Sequence, residues 1–157
     1  TGIRISELLD IKVHDINIHE ATLKVMGKGS KERILPLGDY ALYYIKIDTE
    51  NYRSELIKKE YSDYLFLNSK GEKLSGGGIE YIINKIVKKS GVTNNHITPH
   101  VFRHTFATSM LNEGSDLVTV KELLGHSNLS TTSIYTHVSN EHLRRVYLNS
   151  HPRARKN

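Results

Sequence analysis

The stretch VHDINIHEATLKVMGKGSKERILPL, residues 13–37, decides the fold class. Apolar residues recur along it with a period of two: Ile16, Ile18, Leu23, Val25 and Ile34. This period is typical of strands that bury one face. Gly27 and Gly29 bracket Lys28 and indicate a tight turn between two of the strands. We therefore predict a small three-stranded antiparallel sheet near the N-terminus.

Outside this stretch the apolar pattern is helical. Helices are predicted within residues 1–11, 38–60, 79–89, 99–112, 116–124, 130–137 and 140–149. Ser6 is the expected cap of the first helix, and the glycines at 76–78 are expected to break the chain before residue 79. Residues 64–67 are expected to be extended. The predicted fold class is α+β, mostly α: a helical domain with a small sheet near its N-terminus.

Length and composition exclude several classes of protein. The 157 residues are enough for one domain with a single core. The absence of cysteine excludes disulfide scaffolds, thiolate metal sites and cysteine nucleophiles. No apolar run approaches the roughly 20 residues of a membrane helix and no signal peptide is visible, so we expect a cytoplasmic protein with no membrane partner. The net charge of +5 suits a polyanionic partner but is as common among proteins that bind none.

Histidine spacing raises the question of a metal site. His100 and His104 are four residues apart and share a face of the predicted helix. In HVFRH, however, Val101 stands where the zinc motif H-E-x-x-H has its glutamate, and no third ligand is suggested, so we predict no metal. Arg103 lies on the same face as His100. Together they suit a phosphate, although a solvated helix face is the simpler explanation of this pair alone.

Two other residues stand out by their surroundings. Lys28 lies in G-K-G-S-K, where the glycines let the backbone approach a ligand, although an ordinary basic turn explains it as simply. Tyr135 lies nine residues after His126 among small polar residues, which suits an exposed position. Neither a Walker A loop nor a G-x-S-x-G motif is present, so neither phosphate-loop nor α/β-hydrolase chemistry is supported.

Four segments taken together resemble the catalytic domain of the tyrosine recombinase (phage integrase) family. They are TGIRISELLDI, VMGKGSKERILPL, TPHVFRHTFATSMLNEGSDLVTVKELLGHSNLSTTSIYTHV and HLRRVYLNSHPRARK. Their order and spacing match across nearly the whole chain, and the ending most resembles the Xer subgroup. The resemblance implies that residues 1–157 form a catalytic domain truncated at its N-terminus, with the core-binding domain absent, as a start at Thr1 rather than Met also suggests.

The resemblance also implies the site residues. Six are implied to be catalytic: Arg4, Lys28, His100, Arg103, His126 and Tyr135. Tyr135 is the implied nucleophile, and Glu7 is the implied support of Arg4. Lys85, Lys88 and Lys89 on the basic helix 79–89 are candidate DNA contacts, although a solvated helix face explains them as well.

The implied function is a site-specific DNA recombinase. It would cleave and rejoin double-stranded DNA through a 3′-phosphotyrosyl intermediate, without a cofactor, in Xer-type resolution of chromosome dimers. The implied assembly is a tetramer of homologous protomers on two DNA sites, with a second Xer-type subunit and with the tail from His142 passed to a neighbour. Alternatives are an integrase of a phage or conjugative element, a type IB topoisomerase and a DNA-binding module without activity.

Overall fold

The computed structural model describes residues 1–27, 31–57, 61–91, 97–125 and 140–155. Near the N-terminus, β1 (Ile16–Asn17), β2 (Thr22–Met26) and β3 (Glu32–Pro36) form an antiparallel sheet in the order β1-β2-β3. The helices in these ranges are α1 (Ile5–Asp10), α2 (Asp39–Ile47), α3 (Arg53–Leu56), α4 (Gly76–Lys89), α5 (Pro99–Asn112), α6 (Leu117–Leu124) and α7 (Asn140–Ser150). The α+β, mostly α fold class is confirmed.

The register of the hairpin decides which face of the sheet is buried. Leu23 pairs with Leu35 and Val25 pairs with Arg33, so the odd-numbered residues of β3 point inward. The expectation for Ile34 was wrong, because its side chain is 41% exposed whereas Leu35 is 1% exposed. Both residues are apolar, so alternation alone did not decide between two registers that differ by one residue.

Two expected helix boundaries were also wrong. Arg4, not Ser6, is the N-cap of α1, because its backbone is extended and the Glu7 carboxylate accepts its N–H at 2.8 Å. The glycines at 76–78 do not break the chain but form the first turn of α4. The Ser75 hydroxyl accepts the Gly78 N–H at 3.1 Å, so a side-chain cap outweighs the low helix propensity of glycine there.

The other helix predictions fall into three groups. The helices near 99–112, 116–124 and 140–149 are confirmed within a residue or two. The predicted helix 38–60 contains α2 and α3, joined by a π-helical turn at Asp48–Tyr52, and its last three residues lie outside the described ranges. The predicted helix 130–137 lies wholly outside them.

Helix α7 and the segment after it pack on their own chain. Tyr147 and Ala154 are buried in the core that Leu35 and Phe106 also form. The Asp39 N–H donates to the Ala154 carbonyl at 2.8 Å, which fixes the tail to the start of α2. Transfer of the tail to a neighbouring protomer stays a prediction. A deletion from residue 141 would remove part of this core as well as any contact with a neighbour.

A buried arginine fastens α3 to the chain that follows it. Arg53 is 7% exposed, and its guanidinium donates to the carbonyls of Ser62 at 2.5 Å, Tyr64 at 2.6 Å and Leu65 at 3.2 Å. The Leu65 N–H in turn donates to the Ile11 carbonyl at 2.8 Å. This fixes residues 64–67 beside the end of α1; the segment was predicted to be extended, and the structure gives it bridges at Tyr64 and Leu67 with a bend at Leu65 and Phe66 between them.

Arg53→Met is expected to destabilise the fold. The substitution keeps most of the stem but leaves three partly buried carbonyls without their donor, so the free energy of unfolding should fall by about 3 kcal/mol. Urea unfolding measures it. Arg144→Met is the control, since Arg144 is exposed and donates one hydrogen bond to the Glu20 carbonyl. Equal, small losses in both variants would contradict the fastening role of Arg53.

Candidate active site

The N-terminus of α1 orients the first arginine of the site. Arg4 and Glu7 are three residues apart, and the carboxylate accepts both the backbone N–H of Arg4 at 2.8 Å and its Nη1 at 3.0 Å. The Nη2 of Arg4 donates to the Gly125 carbonyl at 3.0 Å. One side chain is therefore held by its own helix and by a residue 121 positions away.

The second arginine comes from α5, which begins at Pro99. His100 and Arg103 occupy its first turns with a spacing of three. The Nη1 of Arg103 donates to the Gly2 carbonyl and its Nη2 to the Leu124 carbonyl, both at 2.6 Å. Burial lowers the pKa of Arg103 and the positive charge of Arg4 lowers it further, which reflects how close the two cations lie. An arginine still remains charged at physiological pH.

The C-terminal end of α6 is where the two arginines meet. Leu124 and Gly125 present carbonyls that continue no helix, and such helix ends attract cations. Gly125 ends α6 with φ 68° and ψ 46°, in the left-handed region where glycine is favoured. Arg103 binds the first of these carbonyls and Arg4 the second. Residue 126, the predicted catalytic histidine, follows directly in the chain.

A third arginine, which sequence reasoning missed, lies beneath this point. Arg33 on β3 donates from Nη1 to Oε1 of Glu7 at 2.8 Å and from Nη2 to Oε2 at 2.9 Å. The available signal was period-two alternation in KERILPL, which places Arg33 on the same face as Leu35. Burial raises the pKa of Glu7, but the bonds from Arg33 and Arg4 outweigh it and hold the pKa at about 2.

The lowered pKa of Glu7 predicts an acid dependence of stability. A carboxylate with a depressed folded-state pKa stabilises the fold above its ordinary pKa, near 4.5, and loses that contribution as the pH falls towards 2. Wild type should therefore exceed Glu7→Gln in unfolding free energy most above pH 5, and the difference should shrink towards pH 2. Urea unfolding between pH 2 and pH 7 measures it, with exposed Glu80→Gln as the control. A difference that is constant with pH would contradict the prediction.

Three of the predicted catalytic residues line one cavity. Arg4, His100 and Arg103 border a space of about 190 Å³, whose other walls are Ile3, Ile5, Ser6 and Pro99. His100 is exposed at its rim. Lys28, His126 and Tyr135 lie outside the described residues, so the cavity is the part of the candidate site that the structure brings together.

The basic helix does not join this cavity. Lys85, Lys88 and Lys89 are exposed on α4, while Ile79 and Ile83 on its other side line a neighbouring groove. That groove, of about 320 Å³, also reaches Arg103.

Two absences hold for the parts of the chain that the structure describes. Within 1–27, 31–57, 61–91, 97–125 and 140–155, no three histidine, aspartate or glutamate side chains converge as a metal site would require. Among the helices in those ranges, none is both long enough and apolar enough to cross a bilayer.

The geometry of the cavity suits a tetrahedral oxyanion. A guanidinium carries five N–H donors, and Arg4 and Arg103 each use two in the hydrogen bonds above. Counting partners in the described part of the chain, each keeps three donors, while the bonds to Glu7 and to the backbone restrict their rotation. Guanidinium donors match phosphate oxygens, and His100 adds an imidazole whose ring nitrogens can donate or accept hydrogen bonds.

The chain belongs to the phage integrase family. The sequence model of that family matches residues 1–142, which include the arginines of the cavity and the other predicted catalytic residues.

Within the family, the chain is similar in sequence to tyrosine recombinases named XerC. The chain is 51% identical over 156 residues to the tyrosine recombinase XerC of Staphylococcus epidermidis and 52% identical over 157 residues to that of Staphylococcus saprophyticus. Each match covers 99% of this chain and 52% of the relative, so the chain spans about half the length of these curated relatives.

Solved structures agree with the fold. The crystal structure of XerA recombinase superposes with a TM-score of 0.73 and 33% identity over 98% of this chain and 55% of that one. The XerH site-specific recombinase, bound to its difH substrate in a pre-cleavage complex, has a TM-score of 0.70 and 31% identity, over 87% of this chain and 39% of that one.

Proposed function

We propose that this chain is the catalytic part of a site-specific DNA recombinase of the Xer type, which resolves chromosome dimers in the cytoplasm. The observation that carries the proposal is the convergence of Arg4, Arg103 and His100 on one cavity. The likeness to XerC supports the subgroup, and the DNA in the XerH complex supports double-stranded DNA as the substrate.

The proposed reaction is phosphoryl transfer to a tyrosine. The hydroxyl oxygen of Tyr135 attacks the phosphorus of a DNA phosphodiester, and the bond from phosphorus to the 5′-oxygen breaks. His100 takes the phenolic proton, and Lys28 gives a proton to the departing 5′-oxygen. A 3′-phosphotyrosyl bond and a free 5′-hydroxyl result. The bond energy is conserved, so the return step, attack by a 5′-hydroxyl, needs neither ATP nor a cofactor.

The arginines act on the charge that develops during this step. Arg4 and Arg103 bind the two non-bridging oxygens, where negative charge accumulates in the transition state. Glu7 orients Arg4, and His126 donates a hydrogen bond to a non-bridging oxygen. Because Glu7 and the α6 carbonyls already hold the two guanidiniums, little reorganisation is needed when the phosphate arrives.

DNA affinity and assembly are the remaining parts of the proposal. Lys85, Lys88 and Lys89 contact DNA phosphates, which adds sequence-independent and salt-sensitive affinity. Four homologous protomers assemble on two DNA sites, with a second Xer-type subunit as partner.

A plasmid assay tests the proposed function. The natural full-length protein and a partner subunit are incubated with plasmids that carry two dif-like sites, two attachment sites beside its gene, or no site. Recombination of the dif-like plasmid alone is expected. Recombination of only the attachment-site plasmid would indicate an integrase, and relaxation of the site-free plasmid would indicate a type IB topoisomerase. Binding without any product would indicate a DNA-binding module.

A further inference from the structure

Arg33 links the hairpin to the site. It lies on β3 directly opposite Val25, and its side chain is only 16% exposed. Lys28 is one of residues 28–30, which lie between β2 and β3 in the chain and outside the described ranges. The inner face of the hairpin therefore places a cation against Glu7, at a position where hydrophobic packing alone would favour an apolar side chain.

The carboxylate of Glu7 is shared between two guanidiniums. Arg33 binds both of its oxygens, at 2.8 Å and 2.9 Å, and Arg4 binds Oε1 at 3.0 Å. The Glu7 side chain is 5% exposed, so nearly all of its solvation comes from these partners and from the Arg4 N–H. Without Arg33, the Glu7 carboxylate would be buried with Arg4 as its remaining guanidinium partner. Protonation of Glu7 would then remove the charge that holds the Arg4 guanidinium in place.

The same guanidinium lies against Gly125. A Cβ atom built on Gly125 would lie 2.7 Å from Cζ, 2.7 Å from Nη1 and 3.0 Å from Nε of Arg33. Similar distances to three atoms of one plane mean that the glycine rests on the face of the guanidinium. The contact with Arg33 therefore fixes the position of Gly125, whose carbonyl accepts a hydrogen bond from Arg4.

We propose that Arg33 is a positioning residue for the cleavage reaction: it holds Glu7, and through Glu7 and Gly125 it sets the orientation of Arg4. The inference rests on the proposed function. It explains why an arginine occupies this inward position of β3. A buried ion pair is weak evidence for added stability, since an apolar pair of similar size often stabilises as much.

The charged groups around Glu7 make the inference testable by pH. Arg4 and Arg33 bind it directly, and Arg103 lies close enough to feel its charge. A groove of about 300 Å³ on its other side is lined by further ionisable groups: Asp10, Lys12, His14, Asp15 and Lys24. Arg33 binds both oxygens with its side chain, whereas the Arg4 side chain binds one, so removal of Arg33 should raise the pKa of Glu7.

The experiment measures single-turnover formation of the covalent adduct on a nicked suicide DNA substrate between pH 4.5 and pH 8. It uses the natural full-length protein. Arg33→Met should lower the rate about 100-fold, as small misplacements of catalytic groups do, with DNA affinity unchanged. It should also add an acid limb to the pH profile. Arg33→Lys should recover part of the rate, because it restores charge but not the two-oxygen contact.

Two further variants separate positioning from folding. In a Glu7→Gln background, Arg33→Met should cost less than it does in wild type, because only its contact with Gly125 is left to lose, and the added acid limb should disappear. Arg53→Met is the matched control, because it removes a buried arginine elsewhere; it should lower the unfolding free energy without moving the pH profile of the rate.

Each outcome of these experiments either supports or contradicts the positioning role of Arg33. Equal rates and pH profiles for wild type and Arg33→Met would overturn the positioning role of Arg33. The same conclusion would follow if the rate losses of Glu7→Gln and Arg33→Met multiplied independently in the double variant. Neither result would affect the proposed function. No adduct from the wild type on its target DNA would overturn the proposed function and this role with it. In that case, urea unfolding against pH would still show whether Arg33→Met moves the acid loss of stability to higher pH.

Discussion

Tyr135→Phe is expected to abolish covalent attachment of the protein to DNA while leaving DNA binding intact. The substitution removes one oxygen, the atom that would form the phosphotyrosyl bond, and leaves the ring. An unperturbed tyrosine has a pKa of about 10, so only about 0.1% is ionised at pH 7. In the proposed mechanism, the reaction therefore depends on a neighbouring base and on the cationic cavity, and we expect no other residue to replace the missing oxygen.

A denaturing gel of the nicked suicide reaction measures this loss, and a gel-shift assay on the same DNA measures binding. Tyr61→Phe is the matched control, since Tyr61 is strongly exposed and lies in another part of the chain. It should form adduct at the wild-type rate. Adduct formed by Tyr135→Phe would assign the nucleophile to another residue.

Arg103→Lys is expected to slow cleavage by about 100- to 1,000-fold, the usual cost of removing one preorganised donor to a developing oxyanion. The guanidinium donates to the Gly2 and Leu124 carbonyls, 122 residues apart in the chain, and still offers donors to a phosphate. A lysine ammonium keeps the charge but is a single point with three donors. It cannot reach both carbonyls and the phosphate in the same geometry.

Single-turnover rates at saturating protein measure this effect, and urea unfolding at the same pH shows how much of it follows from lost stability. Arg144→Lys is the control, since Arg144 is exposed on α7 and far along the chain from the cavity residues. A rate for Arg103→Lys within a few fold of wild type would contradict the role of Arg103 at the phosphate.

Local patterns predicted most of the fold. Period-two alternation indicated the sheet, and helical periodicity indicated α6 within one residue of its observed ends, which the structure caps with Asp116 and with Gly125 in the left-handed region. The errors at Ile34 and Ser6 have different causes, but both depend on contacts rather than on local propensity. Whether Ile34 or Leu35 faces inward, and whether Arg4 or Ser6 caps α1, depends on long-range pairing and on a carboxylate three residues away, not on local propensity.

The sequence predicted which residues belong to the candidate site but not how they are arranged or what holds them in place. The resemblance implied Arg4, His100 and Arg103, and the structure brings these three to one cavity. The resemblance did not imply that the last carbonyls of α6 accept hydrogen bonds from Arg4 and Arg103, because every residue has a backbone carbonyl and the sequence does not show which ones are used. Arg33 was missed because a charged residue in a strand is expected to be exposed. Only the pairing of Arg33 with Val25 shows that it lies on the buried face.

Mapping the attachment site tests whether Tyr135 forms the covalent bond to DNA. The trapped adduct is digested with a protease and a nuclease, and tandem mass spectrometry locates the residue that carries the remaining nucleotide. We expect one modified peptide, with a 3′-linked nucleotide on Tyr135. A nucleotide on any other residue, or a 5′ linkage, would contradict it.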